Sequence, residues 1–223
     1  MTRHTRRRRT TAFVLLLAGV FALAVTGLWL TYPGRENTPG PRDMNGQPVQ
    51  FDDDAPSQPA GAFDAGQGRF QVPSVGLDVP LGRMYAVGNQ VTPPGFTSAY
   101  QITGLGVPLA HASTGTVYVA MHSLRGHGLG PGNYLFNVNN GTASVALGAR
   151  INAGGVTYTV DGWQAIDKNR LPASGIWADV PGRLVVITCL ARLDNTPATE
   201  NFIVTAHQSP SPHHLLKRGV SWR

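Results

Sequence analysis

RLVVITCL, residues 183–190, is the most continuous apolar run of the chain beyond residue 69. It is short, rich in β-branched residues and preceded by Pro181-Gly182, a turn signal. A run of this length without polar alternation reads as a central strand buried on both faces. It ends on Cys189, the single cysteine among 223 residues. The strand therefore delivers one potentially reactive thiol to its own C-terminal end.

Working outward, the same texture recurs. RFQVPSVGLDVPL (69–81), TSAYQITG (97–104), TGTVYVAMH (114–122), SVALGARINAGGVTYTVDGWQAI (144–166) and NFIVTA (201–206) are short runs dominated by Val, Ile, Thr and Tyr. Gly, Pro or Asn separates them, and Asn139-Asn140-Gly141 and Gly154-Gly155 read as tight turns. The pattern predicts an all-β barrel or sandwich with only short helices. There is no internal repeat.

TGTVYVAMH ends on His122, where a β run gives way to the glycine-rich SLRGHGLGPGNY. Such a histidine sits at a sheet rim, within reach of a substrate. If its strand and RLVVITC are parallel neighbours, His122 and Cys189 emerge on one rim. A thiol is a weak nucleophile until deprotonated, and an adjacent imidazole can take or share its proton. His127, in the same glycine-rich loop, is the other histidine placed to compete, whereas His111 and His207 read as structural. No HxH or HExxH spacing is present and the acidic residues are scattered, so no metal is expected.

The formal charge of +6 raises the question of a nucleic-acid partner. Five of the 18 basic residues are Arg3, Arg6, Arg7, Arg8 and Arg9, and from residue 10 onward 13 basic residues face 12 acidic ones. The body is nearly neutral, which excludes a basic stripe along a phosphate backbone. Behind the arginines, Ala12 to Leu30 carries no ionisable side chain and is long enough to cross a hydrocarbon core of roughly 30 Å. Positive charge before it and none just after predicts a cytoplasmic N-terminus and an exported body. Ala22-Leu23-Ala24 offers a weak cleavage site, but the length of the apolar stretch favours an uncleaved anchor. The expected division is a basic tail (1–10), a transmembrane signal anchor (11–32), a Pro/Gly/Asp-rich disordered stalk (33–68), the β domain (69–208) and a loose tail (209–223). The chain is thus placed as a single-pass protein of the cell membrane, with the lipid bilayer as a partner.

Taken together, FQVPSVGLDVPL, VTPPGFTSAY, GTVYVAMHS, ALGARINAGGVTYTVDGW and LVVITCLAR resemble, in that order, the sortase family of cysteine transpeptidases, most closely the class E and F kind of high-GC Gram-positive bacteria. Thr188-Cys189 reproduces the end of the family's TLxTC signature, and His122 precedes Cys189 by 67 residues, the reverse of the papain-like and NlpC-like order. The resemblance implies an eight-stranded β-barrel. It implies that Cys189 attacks a sorting motif near the C-terminus of an exported protein and that His122 serves as acid and base. The acyl group then passes to an amine of the cell wall (a peptidoglycan precursor) or of a pilin, and the resemblance implies that no cofactor is needed.

Two departures stand out. Val185 and Val186 replace Thr and Leu of the signature, and no arginine occurs between Leu193 and Lys217, where the family carries one on the strand after the cysteine. Thr199 and its neighbours occupy that place. Arg192 is the expected substitute for substrate positioning or the oxyanion, with Arg125 as the alternative. A reading of another class is a membrane-tethered β-barrel binding module that keeps the fold and has lost the chemistry. A thiol oxidoreductase lacks its CxxC.

Overall fold

A computed structural model describes residues 40–49, 57–88 and 90–209. Eight strands form a closed barrel: β1 (Arg69–Val72), β2 (Leu77–Tyr85), β3 (Ala99–Gly106), β4 (Thr116–Ala120), β5 (Arg150–Ala153), β6 (Val156–Asp167), β7 (Arg183–Cys189) and β8 (Glu200–Gln208). Their order around the barrel is β1-β2-β3-β4-β7-β8-β6-β5, closed by antiparallel pairing of β5 with β1. Two pairs are parallel, β2 with β3 and β4 with β7. The helical segments among the described residues are short 3₁₀ turns. The expected all-β barrel is thus present. The Gly154-Gly155 turn joins β5 to β6 with both φ angles positive, at 56° and 85°, a conformation that side chains with a Cβ resist.

Strand alternation sorts the apolar residues into two layers. Val117, Val119, Met121, Leu184, Val186, Phe202, Val204 and Ala206 point into the barrel, where they pack with Phe70, Leu81, Ile151 and Tyr158. Their immediate neighbours Tyr118, Ala120, Val185, Ile187 and Ile203 point outward into a second cluster with Met84, Tyr100 and Ile102. The connection between β6 and β7 covers this outer layer: Ile176 is buried in it, and Leu171 and Trp177 pack against it. Trp177 Nε1 donates to Leu171 O at 2.7 Å, and Tyr118 Oη donates to Ile176 O at 3.0 Å. β7 is therefore buried on both faces, which is why its sequence is continuously apolar.

Two pieces of the segment read as a stalk, residues 40–49 and 57–68, lie against the β domain. Residues 57–68 run beside β2. Phe63 pairs antiparallel with Arg83, whose guanidinium lies 5.0 Å from the Phe63 ring centre, and Tyr100 Oη donates to Asp64 Oδ1 at 2.6 Å. Burial, together with the Asp64 carboxylate, raises the Tyr100 phenol well above its ordinary range. Residues 40–49 form a turn on the loop that follows β4. Met44 N donates to Leu129 O at 2.9 Å, and its side chain packs on the barrel core. Composition pointed to disorder because apolar residues are few there, yet single anchors such as Met44 and Phe63 suffice when backbone groups find partners. The calls on residues 1–39, 50–56 and 210–223, the anchor among them, lie outside the described residues. Among the described residues no helix is long and apolar enough to cross a membrane.

Asp43 fastens the turn. Its carboxylate accepts from Gln47 N at 2.8 Å, Asn45 N at 2.9 Å and Leu129 N at 3.1 Å. Burial alone raises the Asp43 carboxyl, but the donors Gln47, Leu129 and Asn45 outweigh it and hold it below its ordinary value. A depressed folded pKa stabilises the docked turn above the ordinary carboxylate range, and that contribution is lost as pH falls through the folded value. We expect the amide resonances of Asn45, Gln47 and Leu129 to titrate together, with a midpoint below that of a free aspartate. Asp43→Asn should abolish the shared transition. Independent midpoints at the ordinary value would show that the carboxylate does not hold the turn.

Candidate active site

β4 and β7 pair in parallel with Thr116 beside Arg183 and Ala120 beside Ile187. Met121 N continues the ladder by donating to Ile187 O at 3.1 Å. Extending the register by two residues sets His122 beside Cys189, and alternation turns both side chains to the outer face, in line with Ala120 and Ile187. His122 and Cys189 thus sit at one rim of the sheet, each half-buried. Ser123, buried just beyond, donates its hydroxyl to the Cys189 carbonyl and ties the two strand ends together.

The connection between β2 and β3 orients the imidazole. His122 Nε2 lies 2.9 Å from Pro93 O, and the Phe96 ring stacks on the imidazole at a centroid distance of 4.5 Å. A carbonyl oxygen only accepts, so Nε2 carries the hydrogen, and in the neutral ring Nδ1 holds the lone pair. The VTPPGF segment, legible in sequence only as a proline-bearing turn, is a wall of the site.

The other expected residues sit around this pair. Arg192 lies in the loop after β7 with its side chain 54% exposed, and its guanidinium is 3.6 Å from Glu200 Oε2. Its backbone carbonyl accepts from Gly126 N at 2.9 Å, which fixes the loop after β4 against the loop after β7. Arg125 is half-buried in that first loop, and His127 is exposed beside it. Thr199 is exposed in the loop ahead of β8. No cluster of three or more metal-ligating side chains occurs among the described residues.

Two contributors were not singled out from sequence. Asn201, at the start of β8, lies directly across from Cys189. Gly132 lies in the turn Pro131–Tyr134 beneath the strand ends, with its N–H donating to His122 O at 2.8 Å. A Cβ at Gly132 would overlap the Thr188 side chain and come within 3.0 Å of His122 O. The signal for Gly132 was the density of glycines in GHGLGPGNY, which marks close backbone approach without saying to what. We expect Gly132→Ala to force Thr188 and His122 apart at a cost of roughly 1–3 kcal/mol, the usual range for overpacking. It should also slow reactions of the Cys189 thiol. Denaturation midpoints and iodoacetamide alkylation rates check this, and an unchanged midpoint would show that the turn yields freely.

No protein-family model matches the chain, and no curated protein matches it. The structure is similar to solved sortases. Against sortase A of Listeria monocytogenes it has 21% identity and a TM-score of 0.45, covering 66% of this chain and 89% of that one. A lid mutant of Corynebacterium diphtheriae sortase A gives 14% and 0.44 over 72% and 76% of the two chains. Streptococcus agalactiae sortase C1 gives 16% and 0.41 over 65% and 67%.

Proposed function

We propose that the protein is a membrane-anchored cysteine transpeptidase of the sortase type, acting on exported proteins that carry a C-terminal sorting signal. The observation that carries this reading is the parallel pairing of β4 with β7, which sets His122 beside the only cysteine at one rim. In the first half-reaction the Cys189 proton passes to His122 Nδ1 and the thiolate sulfur bonds to the substrate carbonyl carbon. The carbon–nitrogen bond then breaks, and the departing amine takes the proton from the imidazolium. In the second, an amine of a peptidoglycan precursor or a pilin attacks the thioester and yields a proton to His122, and the carbon–sulfur bond breaks to restore the thiol. Arg192 holds the substrate backbone, with Arg125 as the alternative for that role.

The test uses detergent-solubilised full chain and synthetic C-terminal peptides of exported proteins from the same cell. Mass spectrometry should find a peptide thioester on Cys189 that hydroxylamine releases. Cys189→Ala should abolish it, and His122→Ala should slow its formation by about 10²–10⁴, the usual contribution of a positioned acid–base. Arg192→Ala should weaken peptide transfer, and Arg192→Lys should restore only part, because an ammonium lacks the planar fork. If no peptide acylates the thiol, the protein is instead a tethered binding module.

The anchor assigned to residues 11–32 makes a separate statement about place: the catalytic domain faces outward. Protease added to intact protoplasts should release a fragment beginning between Pro33 and residue 56. A soluble mature form whose N-terminus lies near residue 25 would replace the anchor with a cleaved signal peptide.

A further inference from the structure

β8 brings a second polar side chain to the nucleophile. In the antiparallel β7–β8 ladder Cys189 stands opposite Asn201, Ile187 opposite Ile203, and Thr188 opposite Phe202. Leu190 N donates to Glu200 O at 2.9 Å, so the next pair, Cys189 with Asn201, is a non-hydrogen-bonded pair. In such pairs the two side chains approach most closely, with Cβ atoms about 4.5–5.5 Å apart. Ile187 and Ile203 both belong to the outer cluster, so alternation points Cys189 and Asn201 out on the same face.

The surroundings of Asn201 make an amide there costly. Asn201 is 8% exposed, its partner on β6 is Ile166, which packs against the outer layer, and Ile203, two residues on, belongs to that layer. Its side chain makes none of the hydrogen bonds formed among the described residues. Nor is it sealed away, since the fully occluded polar side-chain atoms without a partner are Tyr158 Oη and Thr188 Oγ1. A largely buried, unpaired amide costs free energy that a leucine of similar size avoids. The amide thus borders Cys189 at the rim of the ladder, where a partner can arrive from solution.

That partner is not the imidazole. β4 and β8 lie on opposite sides of β7, so His122 and Asn201 are separated by two strand spacings, roughly 9–10 Å. The imidazole already has Pro93 O on Nε2. What comes within reach of the Asn201 amide is whatever is bonded to Cys189 sulfur. During acylation that is a carbon bearing an oxygen that gains negative charge, which calls for an N–H donor aligned in advance.

We infer that Asn201 is a catalytic residue, its Nδ2–H donating to the oxyanion that forms on the carbonyl bonded to Cys189. This rests on the acyl-transfer reading of Cys189 and His122. It gives Asn201 the neutral donor role at the reacting carbon and leaves the exposed Arg192 to the substrate backbone.

Two small probes separate oxyanion stabilisation from thiol reactivity. p-Nitrophenyl acetate acylates the thiol through a tetrahedral oxyanion and releases p-nitrophenolate. Iodoacetamide alkylates the same sulfur by displacing iodide at a CH₂ carbon, with no oxyanion. With the full chain, Asn201→Ala should slow acylation by about 10²–10³, the cost of removing one aligned oxyanion donor, while alkylation stays within about twofold. Asn201→Leu should show the same split with an unchanged or raised denaturation midpoint, which separates the lost donor from a lost fold. Equal slowing of both reactions in the leucine variant, or slowing of neither, overturns the assignment of Asn201. If wild type acylates no faster than free cysteine, or His122→Ala leaves both rates unchanged, the acyl-transfer reading falls, and this inference with it.

Discussion

Everything at the candidate site depends on the parallel pairing of β4 and β7. Parallel neighbours end at the same rim, so Cys189, the last residue of β7, and His122, two residues past the end of β4, come to that rim without a long loop to bring them there. Antiparallel pairing would put them at opposite ends of the sheet. The register matters as much as the direction, because a one-residue slip of β7 would turn Cys189 into the barrel. Burial on both faces guards against that slip. Leu184 and Val186 fill the interior while Val185 and Ile187 fill the outer layer, and each is at most 5% exposed.

The two ends of this strand pair are built differently. At their beginnings a polar network locks the covering connection in place. Asp179 Oδ1 accepts from Thr116 N at 2.8 Å, Thr116 Oγ1 accepts from Val180 N at 2.9 Å, and Arg183 Nη2 donates to Ile176 O at 2.8 Å and to Ala178 O. At their C-terminal ends the ties run through backbone groups: Ser123 to Cys189 O, Gly132 N to His122 O, Gly126 N to Arg192 O. Backbone ties fix the strand ends without occupying the thiol. Both ends of the strand pair are thus fixed, a requirement for the chemistry proposed at the rim, where reacting groups must be held within a fraction of an ångström.

Much of this was legible in sequence, for reasons that can be named. RLVVITC and TVYVAMH are continuous apolar runs because both faces of β4 and β7 are covered, and each run ends on its candidate residue, Cys189 or His122. The hairpin at Gly154-Gly155 follows from local turn chemistry alone. What was not legible depends on register across strands distant in the chain. That Asn201 is paired with Cys189 follows from a register set twelve residues apart across an irregular loop, and nothing in TENFIVTA says which of its polar residues the ladder will place there. Pro93 and Phe96 come from a connection between two parallel strands, and such crossovers leave little trace in periodicity. The ordering of 40–49 and 57–68 rests on single anchors that composition averages away.

The outer layer also bears on what kind of donor the rim beside Cys189 can keep. A guanidinium at the Asn201 position would be held in an 8% exposed site walled by Ile166 and Ile203, and an isolated buried charge costs several kcal/mol unless a counterion accompanies it. The adjacent acidic side chain, Glu200, is turned toward Arg192 in the exposed loop. A carboxamide avoids that cost, since it carries N–H donors without net charge. Its weaker field at the oxyanion is offset in part by the low dielectric of the same apolar walls, where each hydrogen bond is electrostatically stronger than in water. On these physical grounds, the absence of an arginine between Leu193 and Lys217 is compatible with a competent acyl-transfer site, provided that the β8 ladder holds its amide in line with the sulfur.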